Sequence, residues 1–384
     1  MRRFLYWAHL YAGLMLGAGV AFVGLTGSSV VYLPEIERLL YPERYEVAPG
    51  ERRLPLGTLV SPAVAAYPGA RPSFVSVDLP LAPGEPLRVL MKDFSQQEAP
   101  WWRVHVNPYT GETLASFDPG KTLTGFLFNL HAHWLTGEHR WGEQAVGWMG
   151  LVLLVFCVTG LVLWWPGGRR LGEGFRIRTN SGRGVFHGDL HRVLGFVFTV
   201  PLLLIALTGV MLVFPEYTRA PVVKALEVSR PPRPPHVNAT GQHMPLEALQ
   251  AVIQREFAET KVLGIQLPPP GAGLYTVRLL RSGDERLRYG GGATLLVWVE
   301  AATGRIVQVL DWRSVPLATR VLFSWVFPIH TGDIAGAAGR LIAFVAGLVP
   351  SFLLVTGWIV WYRRRARRQR SAFPTARARG AAQG

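Results

Sequence analysis

A single cysteine, Cys157, stands in 384 residues, and it sits inside an apolar run. One thiol excludes an internal disulfide, a CxxC redox pair, a cysteine-ligated iron–sulfur cluster and covalent cofactor attachment through CxxCH. Charge is scarce too, at 17% of residues, and four long stretches carry none except at their ends. A nucleotide loop is also missing, since the glycine run at Tyr289-Gly290-Gly291-Gly292 follows no strand–helix pattern.

The uncharged stretches are the main content of the sequence. His9 to Glu35, Gly147 to Trp165, His191 to Glu216 and Leu341 to Tyr362 are each long enough to cross a bilayer, which takes about 20 apolar residues rising 1.5 Å each. The run from Phe4 to Leu33 exceeds the h-region of a signal peptide and predicts an uncleaved helix. Two of the runs resemble each other. His9 and His191, and the pairs Thr26-Gly27 and Thr208-Gly209, are offset by the same 182 residues. The other two carry Thr159-Gly160 and Thr356-Gly357, 197 residues apart. The chain therefore divides into two tandem halves, each helix, polar module, helix, related as a parallel repeat about an axis along the membrane normal.

The net charge of +15 is unevenly placed. Residues 1–9, 166–192 and 363–384 hold 16 Lys and Arg against two acids, Glu173 and Asp189; the rest of the chain has 24 basic and 23 acidic residues. Basic residues in alternate connections predict a cytoplasmic location for both termini and for the central loop. The run from Arg363 to Arg368 reads as a topology and lipid-headgroup anchor, and nucleic acid is not an expected partner.

The expected architecture is an α-helical membrane protein with four spans and two extracytoplasmic α+β modules. The expected boundaries are span 1 over 1–33, module 1 over 34–120, and an interfacial segment with span 2 over 121–168. A cytoplasmic loop over 169–186 then leads to span 3 over 187–215, module 2 over 216–325, an interfacial segment with span 4 over 326–365, and a basic tail over 366–384. In module 1, 56–67 patterns as a short helix, and Phe74–Asp78, Leu87–Leu90 and Trp102–Val106 alternate as strands, the last turning at Asn107-Pro108. Module 2 repeats the plan, with a helix at 245–257 and strands at 274–280 and 294–299. Ser229 to Gln242 is an extended Pro-rich linker.

Histidines gather at the span ends. His9 and His191 lie at the cytoplasmic ends of their helices, while His131, His133 and His330 precede the other two on the external side. Ionisable groups at membrane depth are candidate functional groups. A two-fold axis sets His9 opposite His191 and the external pair opposite each other, as the axial ligation of a six-coordinate haem requires. Small residues at Gly13, Gly17, Gly19, Ala21 and Gly195 make room for a ring or pack helices closely. Zinc and a purely structural role stay open; His187 and His191, at i and i+4, would start a zinc site that lacks its remaining ligands. The repeat spacing favours His133, which lies 26 residues before its Thr-Gly pair, as His330 does. His105, His236 and His243 are isolated and expected at the surface.

The order of motifs resembles the PepSY-associated transmembrane family, the iron-regulated membrane proteins that include ferric-siderophore reductases. The likeness is carried by HxxxGLxxG from His9, TGxxxxxxPEIE from Thr26, Leu130-His131 with Trp141-Gly142-Glu143, and TGLVLWWP from Thr159. It continues through DLHRVLG from Asp189, His330-Thr331-Gly332 and TGWIVWYRRR from Thr356, with VxVxxxTG hairpins closing both modules. The resemblance implies a multi-pass protein of the inner (cytoplasmic) membrane with two PepSY-like modules in the periplasm and two b-type haems. Their ligands would be His9, His191, His131 and His330, with His131 taken in preference to His133. It implies a haem-dependent reductase that carries electrons from an unknown donor to a ferric chelate, such as a ferric siderophore. Arg192, Arg140 and Arg340 are candidates to meet haem propionates. The alternatives are a non-enzymatic PepSY scaffold for a peptidase or envelope partner, and a metal-uptake accessory protein.

Overall fold

The computed structural model describes residues 1–69, 71–96, 99–136, 140–239, 241–283 and 294–372. The glycine run at 289–292 and the tail beyond 372 lie outside the described residues. Among the described residues, three helices are long and apolar enough to cross a membrane. They are α1 (Arg2–Val31), α3 (Arg140–Trp164) and α7 (Gly336–Ala372), with α2 (Leu123–His133) preceding α3 and α6 (Val326–Thr331) preceding α7. Phe22, Leu25, Val155, Val158, Phe352 and Val355 stay exposed on them. Apolar side chains turned outward on a bundle fit lipid as the surrounding solvent.

The expected third span is not one straight helix. It divides into α4 (Gly182–Val197) and α5 (Thr199–Val213), bent by 59° where they meet, and completes a fourth crossing only when the two are taken together. Pro201 explains the break, because its ring lacks an N–H and crowds the carbonyl of Val197 four residues back. Arg2 donates to the carbonyls of Leu163 and Trp165, and Arg364 meets the Tyr6 hydroxyl. The start of α1 and the ends of α3 and α7 therefore share one face of the bundle, here the terminal face.

Helices α1 and α7 cross where neither has a side chain. A Cβ on Gly24 would lie 2.4 Å from the Gly347 carbonyl oxygen, and one on Gly347 would lie 2.3 Å from Ser28 Oγ. Ser28 Oγ in turn donates to the Phe344 carbonyl at 2.8 Å. Small residues let the backbones touch and place a polar bond where lipid offers none.

The polar segments do not form two separate bodies. They join in one antiparallel sheet of order β4-β3-β2-β1-β5-β6-β7-β8. Its strands are β1 (Phe74–Asp78), β2 (Leu87–Lys92), β3 (Trp102–Val106), β4 (Thr113–Phe117), β5 (Thr260–Gln266), β6 (Leu274–Arg281), β7 (Leu295–Glu300) and β8 (Ile306–Asp311). The seam pairs Ser76 with Gln266, Val77 with Ile265 and Asp78 with Gly264. Gly264 is required there, since a Cβ would lie 2.7 Å from the Val77 carbonyl oxygen. Leu56–Ala65 and Leu246–Glu256 cover one face, and Gly57 N–H donates to Glu247 between them at 2.6 Å. Their side chains share a single core with both meanders, from Leu59 and Val89 to Leu249 and Val277.

His105 corrects the sequence reading. It is fully buried in β3, between the rings of Tyr45 and Phe117, with Nδ1 2.9 Å from the Arg44 carbonyl oxygen. His236 and His243 are exposed. Burial pushes the His105 pKa down from 6.5 to about 3. The unfolded chain therefore binds a proton there at a pH where the fold does not, so stability is full above 6.5 and falls as pH drops toward 3.

Two outcomes follow. Gly347→Leu lowers stability by about 1–3 kcal/mol through overpacking at the crossing, read from the thermal unfolding midpoint in detergent, while Gly168→Ala, with open space around it, leaves it unchanged. His105→Phe flattens the loss of stability between pH 6.5 and pH 4, measured by melting curves across that range.

Candidate functional site

The helix ends bring four histidines into two pairs. His9 on α1 faces His191 on α4 near the terminal face, with ring centroids 6.5 Å apart and planes at 85°. His131 on α2 faces His330 on α6 at the sheet face, with centroids 6.4 Å apart and planes at 33°.

Each carrier element is fixed locally. Thr122 caps α2 by accepting from Gly125 N–H at 3.0 Å, and Thr124 donates to Glu37 at 2.5 Å. Glu37 also meets the Tyr45 hydroxyl and Arg103, tying α2 to the sheet and to the exit of α1. Trp134 ends α2 in the left-handed region, at φ 49°. Gly332, at φ 84°, caps α6 two residues after His330 and packs against the backbone of Gly339 at the start of α7.

Every paired histidine is held at Nδ1. His9 lies 2.7 Å from Thr159 Oγ1, His131 3.2 Å from Thr26, His191 3.1 Å from Thr356 and His330 3.2 Å from Thr208. These are the threonines of the four Thr-Gly pairs. The next residue, Gly160, Gly27, Gly357 or Gly209, lies against Cε1 of the same ring. Sequence reasoning found these pairs as a repeat and gave them no role. Their recurrence in all four runs, each with a histidine, was the signal available.

The terminal-face pair opens on a cavity of about 650 Å³, lined by Gly13, Gly17, Gly188 and Gly195 with Leu153, Phe156, Phe196 and Leu354. Gly13 has nothing within 4 Å of where a Cβ would stand, whereas at Gly19 a Cβ would meet Met149 Sδ at 2.7 Å. The small residues thus divide, some facing the cavity and Gly19 packing helices. Arg178, Arg192, Arg363, Arg364 and Arg367 line the same cavity. Asp189 organises two of them, accepting from Arg178 at 2.8 and 2.9 Å and from Arg192 at 3.1 Å.

The remaining candidates sit elsewhere. His133 reaches Asn129 at 3.3 Å and packs on Phe128. His187 packs against Phe186, and its Nδ1 is buried without a partner. Arg340 is engaged by Glu35 at 2.6 and 2.7 Å and by the Val31 carbonyl, so it clamps the exit of α1 to the start of α7. The Arg140 side chain lies outside the described residues.

What the pairs can hold follows from their donor count. Among the described residues, no three His, Cys, Asp or Glu side chains gather into a metal site. A structural zinc would want four such ligands. Two opposed imidazoles suit instead a metal that brings its own equatorial ligands, as haem iron does. With metal–nitrogen bonds of about 2.0 Å on each side and the radius of an imidazole ring added twice, the centroids come slightly more than 6 Å apart, close to both separations here. The cavity volume falls within the range of pockets that enclose a cofactor.

No curated protein matches the chain. The family model described as the PepSY-associated TM region matches residues 6–364, and the three long apolar helices agree with it. The chain is a multi-pass membrane protein and belongs to the PepSY-associated transmembrane family.

Proposed function

We propose that this protein is a di-haem b-type electron carrier of the inner membrane that reduces a chelated ferric ion, such as a ferric siderophore, on the periplasmic side. The observation that carries the reading is that two imidazole pairs, both at the spacing of a six-coordinate metal, sit at opposite faces of one helix bundle. When bound, haem supplies one-electron carriage; the chain supplies position, axial nitrogen and burial.

His9 and His191 are the ligands nearer the cytoplasm, and His131 and His330 those nearer the periplasm. Placing the terminal face in the cytoplasm agrees with the concentration of arginine there. Gly13, Gly188 and Gly195 leave space between helices, and Phe156, with its ring centroid 5.4 Å from that of His9, lines it. Arg178 and Arg192 present cations toward the carboxylates that a b-type ring carries, with Asp189 holding both guanidiniums in place. The net change is one electron taken from a donor on the cytoplasmic side and one ferric ion turned ferrous in its chelate outside. The softer, less charged ferrous ion is a poorer match for hard oxygen ligands, so the chelate loosens.

The purified full chain is expected to show Soret and α bands that shift on dithionite reduction, with two haems per chain by pyridine haemochrome assay. His9→Ala and His191→Ala should each remove one haem, and His131→Ala and His330→Ala the other. A colourless, folded protein would refute the reading, as would loss of both haems from every single variant.

A further inference from the structure

We propose that the four Thr-Gly steps are histidine holders: each threonine is a positioning residue that fixes the tautomer of one imidazole and turns its Nε2 toward the opposite ring. The holders also leave the two pairs in different mutual orientations. The haem reading underlies the second statement; the hold on the rings stands without it.

The hold is reciprocal within each half of the chain. Helix α1 carries His9 and takes its threonine from α3, while Thr26 of α1 serves His131, just ahead of α3. In the second half, Thr356 of α7 serves His191 and Thr208 of α5 serves His330. Each hydroxyl also has a carbonyl one turn back within donating distance: Phe22 O at 2.9 Å from Thr26, Val155 O at 2.7 Å from Thr159, Leu204 O at 2.6 Å from Thr208 and Phe352 O at 2.8 Å from Thr356. With its one hydrogen assigned to that carbonyl, the hydroxyl offers the imidazole a lone pair, and Nδ1 brings the proton. The tautomer follows: Nδ1 carries N–H, and Nε2 carries the free pair that a metal can take. His191 and His330 repeat the argument with groups that can only accept, since Nδ1 also lies 3.0 Å from Leu353 O and 3.0 Å from Ile205 O, respectively.

The glycine sets how tightly the ring edge is gripped. A Cβ at Gly27 would stand 2.9 Å from Cε1 of His131, closer than real contacts allow, and one at Gly209 would stand 3.0 Å from Cε1 of His330, tighter than most real contacts. At Gly160 and Gly357 the distances to His9 and His191 are 3.6 and 3.5 Å, which is ordinary contact. The sheet-face rings are thus the more closely gripped, and they lie 33° apart in plane, while the terminal-face rings cross at 85°. Two axial imidazoles crossed over low-spin ferric iron raise its two π-type d orbitals equally; two aligned ones raise one and split the pair. The site nearer the termini is therefore the axially anisotropic one and the site nearer the sheet the rhombic one.

The test uses the full chain in detergent. In ¹⁵N-histidine-labelled protein prepared without haem, the imidazole nitrogen shifts should report Nδ1–H tautomers at all four positions. Thr159→Val should convert His9 to mixed tautomers and leave His131 unchanged; Thr159→Ser, which restores the hydroxyl, should restore the single tautomer. In the haem-loaded protein, EPR of the oxidised form should give one signal with a single dominant low-field feature and one three-feature rhombic signal. His9→Ala deletes the first and His131→Ala the second. Thr159→Val should weaken retention of the first haem roughly 10-fold or more, as loss of a group bonded to a metal's ligand does, and Thr159→Ser should recover it. Nδ1 shifts unchanged by Thr→Val, or equally altered by Thr→Ser, overturn the holder. Two EPR signals of one shape overturn the inequivalence. A protein that takes up no haem overturns the proposed function and the inequivalence with it, while the nitrogen shifts still decide the holder.

Discussion

An imidazole among apolar helices has one N–H that must find an acceptor, because lipid and aliphatic side chains supply none. The bundle answers that need four times in one way, with a threonine hydroxyl from the neighbouring helix. Geometry then leaves little freedom. Once Nδ1 is tied to a fixed hydroxyl and Cε1 lies against a glycine, the far nitrogen of the ring has one direction left. The two halves of the bundle meet at the α1–α7 crossing, where Gly24 and Gly347 let the backbones touch.

Outside the bundle the controlling contact is the β1–β5 seam. It makes one sheet of two four-stranded meanders and one core of two amphipathic helices. The seam fixes the halves against each other at the level where α2 and α6 present His131 and His330. Asp78 pairs with Arg278 across it and with Arg88 at 3.6 Å on its own side. Glu37 then links the sheet to α2, so the position of His131 is set from two sides.

Much of this was legible in the sequence, and the exceptions have physical reasons. Runs without charge announce helices, alternation announces strands, and a shared offset of 182 residues paired His9 with His191. The break at Phe198 was harder, because one proline in an apolar run is compatible with a straight or a kinked span. Strand β5, TKVLGIQ, went unnoticed since a lysine and a glycine interrupt its alternation; its Gly264 is explained only by the neighbour it meets. His105 read as a surface residue because a lone histidine in a strand gives no sign of which face is covered. The choice between His131 and His133 turned on helix phase. Repeat spacing pointed to His133, whereas the structure turns His131 toward His330, since the two helices ahead of α3 and α7 end at different distances from them. The Thr-Gly pairs were visible in every span, yet their task appears only when helices stand side by side.

The seam also bears on how the chain is made. Strand β1 leaves the ribosome about 180 residues ahead of the strand that will cover it, so its open side must wait while two further apolar stretches are threaded into the bilayer. An unattended strand border is a template for pairing with the wrong chain. Asp78, placed at the end of that border, keeps a charge on it throughout the wait. A charge on an edge strand disfavours such mispairing until β5 arrives.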